Sequence, residues 1–185
     1  MKRASTAYLL TCAVLGVAGG LLLAPANWIS TAVFAAFPYG AVAIAGLWLL
    51  PSVVALRLLQ RPLAGLLTAL IAGLVLVPFS GYGFGSVATN LWWAFFAEIP
   101  FLIVIYKFWT VWQHYAGAVL VSVVYPILAW ASFDLGAASL PIQIFFFALT
   151  LASCVGATAL GLFIARALTR AGLGAAARRR TPASA

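Results

Sequence analysis

The stretch VATNLWWAFFAEIPFLIVIY, residues 87–106, decides the fold class because it is a long apolar run with a single charged residue, Glu98. As a helix rising about 1.5 Å per residue, such a run crosses the roughly 30 Å hydrocarbon layer of a bilayer. The composition agrees, because 66% of the chain is hydrophobic and only 6% is charged. Soluble domains carry far more charge. In lipid the backbone must satisfy its own hydrogen bonds, and continuous rather than alternating apolar runs favour helices over a barrel.

Five more apolar runs flank this one, and together they predict an all-α membrane protein with six transmembrane helices, a single domain over residues 1–170. The runs cover residues 7–24, 32–56, 63–77, 116–133 and 141–165. The first ends at Ala24-Pro25-Ala26, which resembles a signal-peptide cleavage site, but the run is longer than the apolar core of a signal peptide. The third is the shortest, and the glycine-rich segment 78–86 that follows it is predicted to be a flexible loop.

Basic residues occur only at the junctions between these runs. With six spans, every junction that carries a Lys or Arg falls on the same side, which the positive-inside rule makes cytoplasmic. Both termini are therefore predicted to be cytoplasmic, with residues 171–185 a disordered basic tail against anionic lipid. The net charge of +8 is explained by membrane topology, without a nucleic-acid partner. The basic residues are Lys2, Arg3, Arg57, Arg61, Lys107, Arg166, Arg170 and Arg178, Arg179 and Arg180.

Glu98 is the acidic residue that lies deep in a span. Counting from Val87 places it about 16 Å into the roughly 30 Å layer, near the midplane. A carboxyl group there is costly, so a functional role is the first hypothesis. Asn90 and Glu98 share a helix face with Trp93 beside them, a set that suits a flat polar ring. The alternative is that Glu98 is protonated and hydrogen-bonded to a neighbouring helix for structural reasons alone.

Further candidate residues lie outside this span. Trp130 and Gln143, on the predicted external half, either complete a pocket reached from outside or simply face lipid headgroups. The same two interpretations apply to the other polar residues of that half, Asn27, Tyr82, Ser86 and Asp134. On the first helix, Gly16 and Gly20 have the spacing that permits close approach of another helix. That helix belongs either to a partner subunit or to the same bundle.

Catalytic patterns are missing from the sequence. There is one histidine, His114, and two acidic residues, so no His/Asp/Glu cluster is available for a metal. No nucleophile has a plausible base, and no G-x-x-x-x-G-K-[ST] phosphate loop is present. The sequence predicts no enzymatic activity, no cofactor and no metal, and any transport must draw energy from a partner or an ion gradient.

Two local patterns resemble the substrate-binding S components of energy-coupling factor (ECF) transporters, of the YkoE type. One begins at 46–51, GLWLLP, and continues through Ala55 to 61–64, RPLA. The other is Ala97-Glu98 followed by an apolar run, Tyr106 and Lys107. The third run departs from the family pattern as it carries no acidic residue.

The resemblance implies a vitamin-binding subunit in the cell membrane that works with a transmembrane coupling subunit and two ATPase subunits. It further implies thiamine or its hydroxymethylpyrimidine precursor as ligand, and Gly16 and Gly20 as contacts to the coupling subunit. Glu98, Asn90, Trp93, Trp130 and Gln143 are the expected ligand-binding residues. Two alternatives stay open: a proton-coupled carrier that uses Glu98, and an accessory membrane subunit without a ligand.

Overall fold

Helices form every predicted membrane segment in the computed structural model, which describes residues 5–173, and this part of the chain contains no strand. Lys2, Arg3 and the predicted tail beyond residue 173 lie outside the described residues. A 3-10 helix, Pro38–Leu49, leads directly into α2, and a short 3-10 turn, Val77–Phe79, follows α3. The α-helices are α1 (Thr6–Ala36), α2 (Leu50–Leu59), α3 (Ala64–Leu76), α4 (Gly85–Ile103), α5 (Val111–Leu128) and α6 (Leu140–Arg170).

Five of the six segments are long and apolar enough to cross a membrane, and the third, Ala64–Phe79, is shorter, as the sequence predicts. The chain from Pro38 to Leu59 is the most enclosed, because 78% of its most apolar window is buried, against 33–39% for the other four spans. This segment is therefore the most buried of the five spans, and α1, α3, α4 and α6 pack against it.

The boundary between the first two spans differs from the sequence prediction. α1 does not end at residue 24 but continues through Pro25 to Ala36, and the second span begins at Pro38 rather than at residue 32. Proline is tolerated within membrane helices because neighbouring groups re-satisfy the freed carbonyl. The helix ends where Phe37 leaves helical geometry, and Pro38 then suits a first helical turn.

Small residues let α3 pack between α1 and α4. A Cβ atom added to Gly16 would lie 2.6 Å from the Cβ of Ile71, and one added to Gly20 would lie 2.7 Å from the carbonyl oxygen of Ala72. On the α4 side, a Cβ at Gly73 would lie 2.7 Å from the Cα of Val87. The face of α1 that carries Gly16 and Gly20 is thus covered by α3 of the same chain. This agrees with the interpretation that the close helix contact lies within the same bundle.

Short connections make successive helices run back and forth, so the described basic residues gather at one end of the bundle. Arg57 lies in the last turn of α2, Arg61 lies before the start of α3, and Lys107 lies after the end of α4. Arg166 and Arg170 lie at the C-terminal end of α6. We call this the basic end and the other the distal end. That the basic end faces the cytoplasm stays a prediction of the charge rule.

Candidate functional site

A cavity of about 370 Å³ opens at the distal end of the bundle. Its walls come from the C-terminal part of α1, the 3-10 helix, the start of α4 and the end of α5. It is lined by Asn27, Ser30, Thr31, Phe34, Ala41, Ala45, Trp48, Leu76, Tyr82, Ser86, Thr89, Trp93, Tyr125, Ser132 and Phe133. A volume of this size holds a small organic molecule.

The polar groups of the cavity are uncharged. Seven of the described lining residues carry hydroxyl groups, one carries an amide, and none of them is Asp, Glu, Lys, Arg or His. Hydroxyls both donate and accept hydrogen bonds, so they match a ligand with ring nitrogens and amino or hydroxyl substituents. The described lining therefore offers hydrogen-bonding groups and aromatic rings but no charged side chain.

Aromatic rings form one wall of the cavity. The rings of Trp93 and Tyr125 are 5.1 Å apart between centroids and inclined by 35°. Trp92 meets Trp93 edge-on at 5.2 Å and holds the indole in place. Trp93 is only 4% exposed, and the small part of its ring that remains accessible borders the cavity. Such a wall favours a flat ligand, which can stack on or meet the rings edge-on.

The Trp93 and Tyr125 rings also border a second cavity, of about 470 Å³, between α4 and α5. Thr89, Ser132 and Phe133 line both cavities. The aromatic pair therefore lies on the boundary between the distal cavity and an opening at the side of the bundle.

Of the residues predicted to bind ligand, Trp93 lines the distal cavity and the other four do not. Asn90 is buried one turn earlier on α4, where its Nδ2 donates to the carbonyl of Ser86 at 2.8 Å and its Oδ1 has no partner. Trp130 is 37% exposed. Gln143 donates from Nε2 to the carbonyls of Leu135 (3.0 Å) and Ala138 (3.1 Å). Gln143 thereby fastens the α5–α6 connection to the start of α6.

Glu98 lies farther from the distal end, five residues and about 7.5 Å along α4 from Trp93. Its Oε2 accepts a hydrogen bond from the backbone N–H of Leu66 at 3.0 Å, and its Oε1 accepts one from the hydroxyl of Tyr106 at 2.9 Å. Leu66 is in the first turn of α3, where N–H groups lack partners within the helix and the dipole favours an acidic group. The carboxyl group joins α3, α4 and the α4–α5 connection, as in the structural alternative. Its role in ligand binding stays a prediction.

Sequence reasoning identified Asn27, Tyr82, Ser86 and Trp93 as pocket candidates and missed the other described lining residues of the cavity. Asn27, Ser30 and Thr31 were assigned to a connection because the first helix was ended too early at residue 24. A usable signal was present on α4, where Ser86, Thr89 and Trp93 recur at helical spacing on one face. Tyr125 had no such signal, since it reaches the cavity only through the packing of α5 against α4.

A solved structure described as the crystal structure of an S-component of ECF transporter has the same fold. The two chains share 20% sequence identity with a TM-score of 0.82, and the match covers 92% of this chain and 88% of the other. No curated protein matches the chain. The chain is thus a multi-pass membrane protein with the S-component fold, which confirms the predicted resemblance to ECF S components.

The chain belongs to the family described as ABC-type cobalt transport system, permease component, whose profile matches residues 8–124. Membership of this family agrees with a subunit of a transport system.

Proposed function

We propose that this protein is the substrate-binding subunit of an ECF-type importer and that it captures a flat, uncharged heterocycle in the distal cavity. The observation that carries the proposal is the uncharged lining of hydroxyl groups and aromatic rings in an S-component fold. Trp93 and Tyr125 supply the surface for the ring, and Thr89, Ser132 and Asn27 surround it with hydrogen-bonding groups.

Of the two ligands implied by the family resemblance, hydroxymethylpyrimidine suits this cavity better than thiamine. Thiamine carries a permanent positive charge on its thiazolium ring, and burying a charge without a partner is costly. The described cavity lining offers no carboxylate to that charge. Hydroxymethylpyrimidine is neutral near pH 7, and its ring nitrogens, amino group and hydroxyl match the donors and acceptors of Ser, Thr and Asn side chains.

The family description names cobalt, but the cavity chemistry does not favour a cobalt ion as cargo. Co²⁺ binds to imidazole, thiolate or carboxylate groups in proteins. The described residues contain no group of three or more His, Cys, Asp or Glu side chains that could hold a metal ion. The lining instead favours an organic ligand.

Energy for import would come from partner subunits, a transmembrane coupling subunit and two ATPase subunits. The S-component fold supports this part of the proposal, and the sequence contains no phosphate-binding loop of the G-x-x-x-x-G-K-[ST] type. We expect the chain alone to bind ligand without accumulating it. Uptake of labelled ligand by cells that express the chain without the ATPase subunits would favour the carrier alternative.

Calorimetric titration of the purified full chain tests the binding site directly. We expect hydroxymethylpyrimidine to bind more tightly than thiamine, and Co²⁺ not to bind. Trp93→Ala should weaken binding at least about tenfold, the loss expected when a stacking ring is removed. Trp93→Phe should retain part of the affinity because it keeps a ring.

Trp112→Ala is the matched control, because Trp112 is 70% exposed near the start of α5 at the basic end. If Trp93→Ala bound the ligand as tightly as the parent chain, the distal cavity would not be the binding site. Tighter binding of thiamine would overturn the preference for a neutral ligand.

A further inference from the structure

A depression of about 260 Å³ lies at the basic end, between the end of α2 and the last turns of α6. It is separate from the distal cavity and shares no lining residue with it. Its lining consists of Arg57, Gln60, Ala165, Arg166, Thr169 and Arg170. Half of these side chains are guanidinium groups.

The packing of α6 on α2 brings the three arginines together. Ala165 is fully buried and packs with Leu50 and Val54, so the part of α6 directly before Arg166 lies against α2. Arg166 and Arg170 are four residues apart and share a face of α6. Arg57, in the last turn of α2, faces the same depression and also donates from Nη1 to the carbonyl of Trp109 at 3.4 Å.

The side-chain carboxylates of the chain lie elsewhere. The sequence has only two acidic residues. Glu98 accepts its hydrogen bonds from Leu66 and Tyr106, and Asp134 lies in the α5–α6 connection at the distal end. The C-terminal carbonyls of α6 favour nearby cations such as Arg166 and Arg170, but carbonyl groups carry no net charge. The positive-inside rule explains which end carries the arginines, but not why three of them line one depression.

We propose that this depression binds a phosphate group at the membrane surface, as found in the headgroup of an anionic phospholipid or in a free phosphate ion. Guanidinium groups bind phosphate oxygens through paired N–H donors. Basic pockets between helices at this depth attract anionic headgroups. Arg166 and Arg170 hold the anion from α6, Arg57 approaches it from α2, and the Gln60 amide offers a further donor.

Titration of the purified full chain in an uncharged detergent tests this site. The probes are dioctanoyl phosphatidylglycerol, dioctanoyl phosphatidylcholine and inorganic phosphate. We expect phosphatidylglycerol or phosphate to bind, and Arg166→Gln and Arg170→Gln each to weaken that binding about tenfold. Lys107→Gln is the matched control, since it removes one exposed positive charge from the same end but does not line the depression.

Each outcome decides the proposal. Tighter binding of phosphatidylglycerol than of inorganic phosphate identifies a lipid headgroup as the source, and inorganic phosphate that binds as tightly as phosphatidylglycerol or more tightly identifies a free anion. An equal loss in Lys107→Gln would show that only the net charge matters and would overturn the site. Equal binding of phosphatidylcholine, or no binding of any probe to a chain that still melts cooperatively, would overturn it as well.

Discussion

Both carboxylate oxygens of Glu98 accept hydrogen bonds from groups outside α4, one from the N–H of Leu66 in α3 and one from the hydroxyl of Tyr106 after the end of α4. Glu98→Ala would leave the part-buried N–H of Leu66 without its acceptor, at a cost of about 1–3 kcal/mol. Gly65 fits this arrangement, because a Cβ atom there would lie 3.0 Å from the Glu98 Oε2 atom. We expect Glu98→Ala to lower the melting temperature by several degrees, measured by thermal unfolding in detergent, with ligand affinity nearly unchanged.

Glu98→Gln is the control for this prediction. Its amide oxygen still accepts from Leu66 and its amide nitrogen can donate to the Tyr106 hydroxyl, so most of the stability should remain. Loss of ligand binding in Glu98→Ala without loss of stability would instead return Glu98 to the binding site, as the sequence pattern alone suggested.

Sequence reasoning at this scale recognised that Glu98 is unusual and left open a ligand or a neighbouring helix as its partner, but it could not name the donor. A midplane carboxylate signals a role, and only the packing of α3 on α4 shows that the first turn of α3 supplies the donor. Trp93 was identified because it lies beside the face of α4 that carries Asn90 and Glu98, and Ser86 was among the polar candidates of the external half. Thr89 lines the same cavity but was not identified, because hydroxyl residues are common in membrane helices.

At the scale of elements, the contact between the 3-10 helix and α6 is the tightest point described in the bundle. The N–H of Gly46 donates to the Ser153 Oγ at 2.9 Å, and a Cβ atom at Gly46 would lie 2.6 Å from the carbonyl carbon of Ser153. Gly46→Ala should therefore separate the two elements and destabilise the protein by about 1–3 kcal/mol. Thermal unfolding in detergent measures this loss.

Gly156→Ala on α6 is the matched control, because a Cβ atom there meets nothing within 4 Å. Alanine is the better helix former, so this variant should be neutral or more stable by up to about 1 kcal/mol. Equal destabilisation by the two substitutions would contradict the close contact at Gly46.

Element boundaries depended on how prolines were interpreted. Pro25 was taken as the end of the first helix, yet α1 passes through it and stops only at Ala36. The ends of the helices are set by local capping groups instead. Thr110 and Gln113 form a capping box that starts α5 at Val111, five residues before the apolar run begins. Hydropathy locates a span, whereas capping groups set its ends.

At the scale of the whole molecule, six helical segments with basic residues at one end were predictable, because apolar length and charge position are properties of the sequence itself. The orientation of the bundle is a prediction that labelling can test. With Cys12 and Cys154 replaced by Ala, Gly81→Cys at the distal end should react with an impermeant maleimide added to intact cells. Thr169→Cys at the basic end should react only after permeabilisation, and the reverse pattern would contradict the charge rule.

The uncharged lining of the distal cavity has an electrical consequence. Moving one elementary charge through a membrane potential changes its free energy by about 2.3 kcal/mol per 100 mV. A neutral cargo feels none of this, so voltage neither assists nor resists its entry. For the ligand proposed here, concentration inside the cell would then be independent of the membrane potential, and the whole gradient would have to come from ATP hydrolysis by the partner subunits.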